Sequence, residues 1–258
     1  MQYIILGALQ FVGFHLSSHL LEQGYEVLGF DWEKDTQLLE EKRLEIGRNA
    51  NFTFSHVHEI TKYAAHSKTN IIVCWYDIDK SPSSDISSIA KEINSWLFSL
   101  NSMPDQESPR VFFVGSLGTE KKLSDYEPYM QVLLPTIYGP WQHKSMVFQS
   151  GLQQKESGDI RDKVAREYKE DALYIRDFIE HFERISMLQQ KNVIVQNARR
   201  GQWIECFKEV FHKAPPPFQN TPEPMIEGFL YEIENSITPN TGIALQRAHA
   251  KKIGLINE

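Results

Sequence analysis

Gly7 and Gly13 bracket a short turn, G-A-L-Q-F-V-G, between an apolar run and a periodic helix. In a G-x-x-G-x-x-G turn the first glycine makes the bend, the second lets backbone approach a pyrophosphate, and the third lets helix and strand pack closely. The helix N-terminus then holds the anion on its unpaired N–H groups. Here Phe11, Val12 and Gly13 open the helix, but Gln10 stands at the second position. Its side chain is expected to project toward the phosphate space, and its backbone to sit where glycine is favoured. Asp31 closes the next apolar run, where an acid would accept two hydrogen bonds from ribose hydroxyls. Ser116 closes a later run. His15 and His19 have helical i, i+4 spacing without an evident third ligand, and a structural role is the better reading. His56 and His58 alternate on an extended segment beside Glu59 and read as a solvated edge.

The elements that must position these residues follow from periodicity. "QYIIL" (2–6) reads as a strand, "FVGFHLSSHLLEQG" as a helix stopped at Gly24, and "YEVLGFD" (25–31) as a second strand. A charged helix over 36–46 leads to "NFTFSHV", completing βαβ. "NIIVCWY" (70–76) and "RVFFVGS" (110–116) are continuous apolar runs, as in parallel strands covered on both faces. Between them Ile86, Ile89, Ile93, Trp96 and Leu100 form one helical stripe. "QVLLPTIYGP" (131–140) reads as a strand running into a turn. Beyond it come a helix over 175–190, a strand over 192–197, a helix over 201–213 and a terminal helix in "TGIALQRAHAKKIG". Alternating strands and helices with one early glycine turn predict α/β, a doubly wound parallel sheet (Rossmann-like) with a small C-terminal α/β lobe. The nucleotide-type domain is expected over 1–137, and the remainder, with the lobe, over 138–258.

In this order the segments resemble the extended short-chain dehydrogenase/reductases, the NAD-dependent epimerase/dehydratase group that acts on nucleotide sugars. "VFFVGS" is similar to the strand ending in the catalytic serine, "LPTIYGPWQ" to the R-P-x-x-x-Y-G-P turn with Leu134 for its arginine, and "ALYIRDFIEHF" to Y-V-x-D-x-a. The resemblance implies cofactor-binding positions at Gly7, Gln10, Phe11, Val12, Gly13, Asp31 and Trp75. It implies a catalytic Ser116, and a substrate-type cleft at Tyr138 and Asp177. "CWYD" (74–77) stands where the family has a small H-L-A-A-like stretch, so Trp75 and Tyr76 would crowd an NAD cleft.

A Tyr-x-x-x-Lys pair should follow Ser116, because one helical turn places a Tyr general base beside a Lys that lowers its pKa. That stretch lacks it: Tyr126 is followed four residues on by Met130 and Tyr129 by Leu133. The gap from Leu117 to Leu134, interrupted by Pro128, is too short for the helix and a strand, so the catalytic helix reads as deleted. The leading expectation is a degenerate member with a binding or assembly role, in nucleotide-sugar or polysaccharide metabolism, where NAD binds weakly or not at all. The alternative is a working NAD-dependent epimerase, dehydratase or reductase in which Tyr126 or Tyr129 acts without lysine. A third reading is a module for another nucleotide or small anion at the strands' carboxyl ends. The family's dimer is a four-helix bundle that includes the missing helix, so a monomer or a dimer through another surface is expected.

Composition excludes other classes. With 258 residues, 41% apolar and 24% charged, the chain has an ordinary globular profile, so no special class is proposed. A net charge of -7 argues against nonspecific nucleic-acid binding, which needs a basic surface. Cys74 and Cys206 are far apart, without metal-like spacing, and no metal is expected. No run of about 18 apolar residues suggests a membrane span, and Met1 leads at once into the first strand, so a cytoplasmic location is expected.

Overall fold

The run Tyr3–Leu6 is β-rich and apolar, and Ile4, Ile5 and Leu6 are wholly buried, which a strand achieves only with helices on both sheet faces. The structure is a computed structural model, and it describes residues 1–32, 37–80, 86–100, 108–117, 129–153, 160–216 and 227–256. The chain begins β1 (Gln2–Leu6), α1 (Phe11–Glu22), β2 (Glu26–Asp31), α2 (Gln37–Ile46) and β3 (Phe52–His56). A 3-10 turn over Val57–Lys62 leads to β4 (Thr69–Val73), α3 (Trp75–Lys80), α4 (Ile86–Leu100), β5 (Arg110–Ser116) and β6 (Tyr129–Leu134). Then come β7 (Thr136–Tyr138), α5 (Val147–Gln153), α6 (Ile160–Ala165), β8 (Ala172–Tyr174), α7 (Ile175–Ser186), β9 (Asn192–Asn197), α8 (Gln202–Phe211), β10 (Phe229–Ile233) and α9 (Pro239–Lys252).

Eight strands make one sheet in the order β10-β9-β6-β5-β4-β1-β2-β3, and β7 pairs with β8 apart from it. The fold is the expected α/β, doubly wound and Rossmann-like. The described residues fall into two compact units, one running from Met1 to Val114 and taking in the start of β6, the other holding most of the remainder. In the first unit β1 pairs in parallel with both β2 and β4, with Leu6 level with Phe30 and Val73. Gly7 and Cys74, which follow these strands, and Asp31, the last residue of β2, therefore come side by side at the same end of the sheet. The core of this unit joins Ile71, Val73, Val111 and Phe113 of the strands to Ile89, Ile93, Trp96 and Leu100 of α4. The side chain of Ile86 lies outside the described residues.

In the second unit the core gathers Tyr138, Phe148, Trp203, Cys206 and Phe207. Two expected strands are redrawn. The run 70–76 ends as a strand at Val73, and its last residues open α3, because Trp75 and Tyr76 pack as helix. The run 131–140 divides at Pro135, which has no N–H for a ladder, so β6 and β7 belong to different sheets. Short elements without strong periodicity, α5, α6, β8 and β10, are additions to the sequence reading.

Candidate functional site

Two of the three glycine positions of the opening turn do what such a turn needs. Gly7 has φ +87, a left-handed conformation, and a Cβ there would lie 2.7 Å from Cη2 of Trp32. At Gly13 a Cβ would sit 1.9 Å from the carbonyl oxygen of Gly7, so only glycine lets α1 pack this close to the turn. Gln10 differs from the expectation. Its φ of -73 and ψ of -168 are ordinary extended backbone, so no glycine-only conformation is needed. Nor is its polar end spent on phosphate space: Nε2 donates to Oδ1 of Asp31 at 2.7 Å.

Asp31 is fully buried at the end of β2. Oδ2 accepts the Leu9 N–H at 2.9 Å, and Oδ1 accepts the Trp32 N–H at 2.8 Å as well as the Gln10 amide. Three of its roughly four acceptor positions are thus taken within the chain. Lys42, on α2 and only 5% exposed, donates its ammonium to the Leu9 carbonyl at 2.8 Å. The turn is laced to β2 and α2 by the side chains of Gln10, Asp31 and Lys42.

The N-terminus of α1 receives no local cap. Gln10, at the N-cap, makes no side-chain cap bond, and the first turn holds no acid. The partner comes from α3 instead: the Asp77 carboxylate accepts the Val12 N–H at 3.0 and 3.1 Å and the Gly13 N–H at 3.0 Å. Asp77 is 3% exposed. Burial pushes its carboxyl up to about 7, against the two backbone bonds and the Lys42 charge, which favour the ionised form. The Val12 and Gly13 N–H groups and the Asp31 carboxylate, for which the resemblance implies an anion and a ribose as partners, are both engaged internally. Sequence reasoning quoted "CWYD" for its bulk and missed its acid. The available signal was an acid placed just after the strand that flanks β1. Trp75, expected beside a cofactor cleft, is buried in the apolar core of the first unit with Trp32 and Val73. Phe11 and Val12 are buried on α1.

The sequence also holds one Tyr-x-x-x-Lys outside the expected stretch, Tyr76 to Lys80 on α3. Both side chains are buried, and the ammonium lies 5.6 Å from the ring centroid, a cation–π arrangement. Ser116 ends β5, 2% exposed, and its hydroxyl donates to the Leu117 carbonyl at 3.2 Å. Tyr126 lies outside the described residues. Tyr129 opens β6 half-buried, its ring edge-on to Phe113 at 4.8 Å.

In the second unit Tyr138 is buried against Phe148, Tyr174 and Gly242, and burial pushes its phenol far above the usual range. Asp177, 2% exposed, accepts the backbone N–H and the hydroxyl of Ser236, tying α7 to the segment after β10. Its other oxygen is buried without a partner, and burial raises its pKa. Arg176 pairs with Glu180 at 2.7 Å. Asp171 accepts the N–H groups of Ala172 at 2.9 Å and Asn197 at 2.8 Å, and burial lifts it to about 6. Beyond β9 and β10 opens a cavity of about 620 Å³ lined by Arg199, Gln202, Asn235, Ser236 and Thr238. Gln202 is 1% exposed and its Nε2 has no partner.

His15 sits edge-on to Phe11 and Phe14. His56 and His58 stack at 4.6 Å, with Nδ1 of His58 2.6 Å from Oε2 of Glu92. Among the described residues no group of three or more His, Cys, Asp or Glu could hold a metal ion. None of the described helices is long and apolar enough to cross a membrane.

No protein-family model matches the chain. A 59-residue stretch is 39% identical to an uncharacterized 37.6 kDa protein in the cld 5' region of Escherichia coli O111:H-, covering 22% of this chain and 18% of that protein. Solved structures say more. The chain is similar to dTDP-glucose 4,6-dehydratase from Bacillus anthracis in complex with NAD, at TM-score 0.60 and 12% identity over 98% of this chain and 97% of that one. It is equally similar, at TM-score 0.60 and 15% identity over 98% and 99%, to UDP-glucose 4-epimerase with UDP-glucose from Thermotoga maritima. This chain has the epimerase–dehydratase fold. A yeast methylglyoxal/isovaleraldehyde reductase complexed with NADPH shares it, at TM-score 0.55 and 14% identity over 99% and 100%. One scaffold thus carries sugar and non-sugar chemistry, and function must be argued from the site.

Proposed function

We propose that the chain is a degenerate relative of the nucleotide-sugar epimerases and dehydratases with a non-catalytic binding or assembly role. One observation carries the reading: the only Tyr-x-x-x-Lys of the sequence is spent inside α3, and neither Tyr in the stretch after Ser116 is followed by lysine. The resemblance implies proton abstraction by a Tyr held near a Lys, and a general base must also reach the substrate. A buried Tyr76 meets only the first condition.

NAD, which neighbours of this fold carry, fits the described residues poorly. The Val12 and Gly13 N–H groups face Asp77, and Asp31 is already bonded to Leu9, Gln10 and Trp32. For the binding role, the cavity beyond β9 and β10 has the size of a small-molecule site and a polar lining in Arg199, Gln202 and Asn235. Nucleotide sugars, of which the Thermotoga maritima epimerase structure holds UDP-glucose, are the ligand class proposed for it. Native mass spectrometry of the purified protein, with UDP-glucose titrated in, should show ligand retention without NAD. UDP-glucose or dTDP-glucose incubated with NAD or NADP should remain unchanged. A measurable rate that is lost in Ser116→Ala or Tyr129→Phe would establish the working-enzyme alternative instead.

A further inference from the structure

The geometry points to Asp77 as a built-in replacement for the dinucleotide pyrophosphate. A helix N-terminus leaves N–H groups that water, a side chain or an anionic ligand must satisfy. In α1 the N-cap residue provides no side-chain bond and the first turn no acid, so the helix depends on a group from elsewhere. That group is the Asp77 carboxylate of α3, the helix that follows the neighbouring strand β4. It bonds the Val12 and Gly13 N–H groups at 3.0–3.1 Å, the direction in which a pyrophosphate meets such a turn. Trp32 covers Gly7, Gln10 bonds Asp31, and the Lys42 ammonium donates to the Leu9 carbonyl, so the turn is lined by the chain's own residues. The fold is thus complete without cofactor, and Asp77 is its fixed ligand.

Removing the carboxylate should expose two N–H donors, with Lys42 nearby as the compensating charge. The probe is inorganic pyrophosphate, because Trp32 and the occupied Asp31 still oppose the rest of a dinucleotide. Calorimetry should show no saturable binding to the wild type or to Asp77→Asn, which keeps a carbonyl on the same N–H groups. Asp77→Ala should bind pyrophosphate at least tenfold more tightly than wild type. A second measurement stands if Asp77→Ala does not fold. In the wild type the Val12 and Gly13 amide resonances should move on Asp77→Asn substitution and stay fixed as pyrophosphate or NAD is added. Wild-type amides that shift and saturate with either ligand would overturn the inference. So would a folded Asp77→Ala that binds no better than wild type, or Asn substitution that leaves both amides unmoved.

Discussion

Gln10 and Asp77 both bond at the opening turn, and they make different demands. Gln10 has extended backbone and a side chain committed to Asp31, so Gln10→Gly removes a bond to a carboxylate and opens no path to the helix N–H groups. Such bonds contribute about 1.5–3 kcal/mol. Gln10→Gly should therefore lower the denaturation midpoint and leave NAD affinity unchanged in calorimetry. Asp77 sets a pH dependence. Its carboxyl is raised from 3.8 to about 7, facing Lys42 on α2, Asp31 on β2 and the Cys74 thiol that precedes α3. Between pH 4 and 7 the folded protein holds a proton that the unfolded chain has released, so stability falls as pH rises through this window and levels off above it. Asp171, raised to about 6, adds a fall that ends lower. In urea titrations at a series of pH values, Asp77→Asn should flatten the slope between pH 6 and 7 while the Asp171 slope below pH 6 remains.

At the scale of elements, long periodic segments were legible and contacts between remote ones were not. The residues of β1, α1 and β2 announce themselves by apolar runs, Gly7 and Gly24, and the structure places them nearly as read. Asp77 could not be read as a cap for α1, because the two lie more than sixty residues apart and only the parallel register of β1 with β4 brings them together. The same blindness hid Asp171, which precedes the three-residue β8 and accepts N–H groups from β9 and from Gln202 at the start of α8. A cap of this kind contributes about 0.5–2 kcal/mol. Asp171→Ala should destabilise by at least that amount, and hydrogen exchange should quicken at the Asn197 and Gln202 amides before it does in β1. The third glycine was legible for its stated reason. Gly13→Ala drives a Cβ into the Gly7 carbonyl, so its cost should reach or pass the upper end of the ~1–3 kcal/mol of overpacking.

For the whole molecule, association turns on what α4 does with its apolar stripe. The resemblance implies a dimer through a bundle of this helix and the one carrying Tyr-x-x-x-Lys, and a sequence alone leaves the stripe free for that use. In the structure Ile89, Ile93, Trp96, Leu97 and Leu100 are each no more than 6% exposed, packed on β4 and β5 within the first unit. The outward residue Phe98, 62% exposed, is the one large hydrophobic side chain that α4 leaves open among its described residues. One ring is far from the ≈ 800 Å² per partner of a stable interface. The protein should therefore sediment near its monomer mass of 29.9 kDa, or as a dimer whose crosslinks avoid α4. Two substitutions separate the cases. Phe98→Ser should leave the sedimentation coefficient unchanged, because nothing depends on that ring. Ile93→Asp puts a charge into a fully buried position, so it should abolish the cooperative unfolding transition rather than release a smaller folded species. If Phe98→Ser instead halves the mass, α4 is an interface.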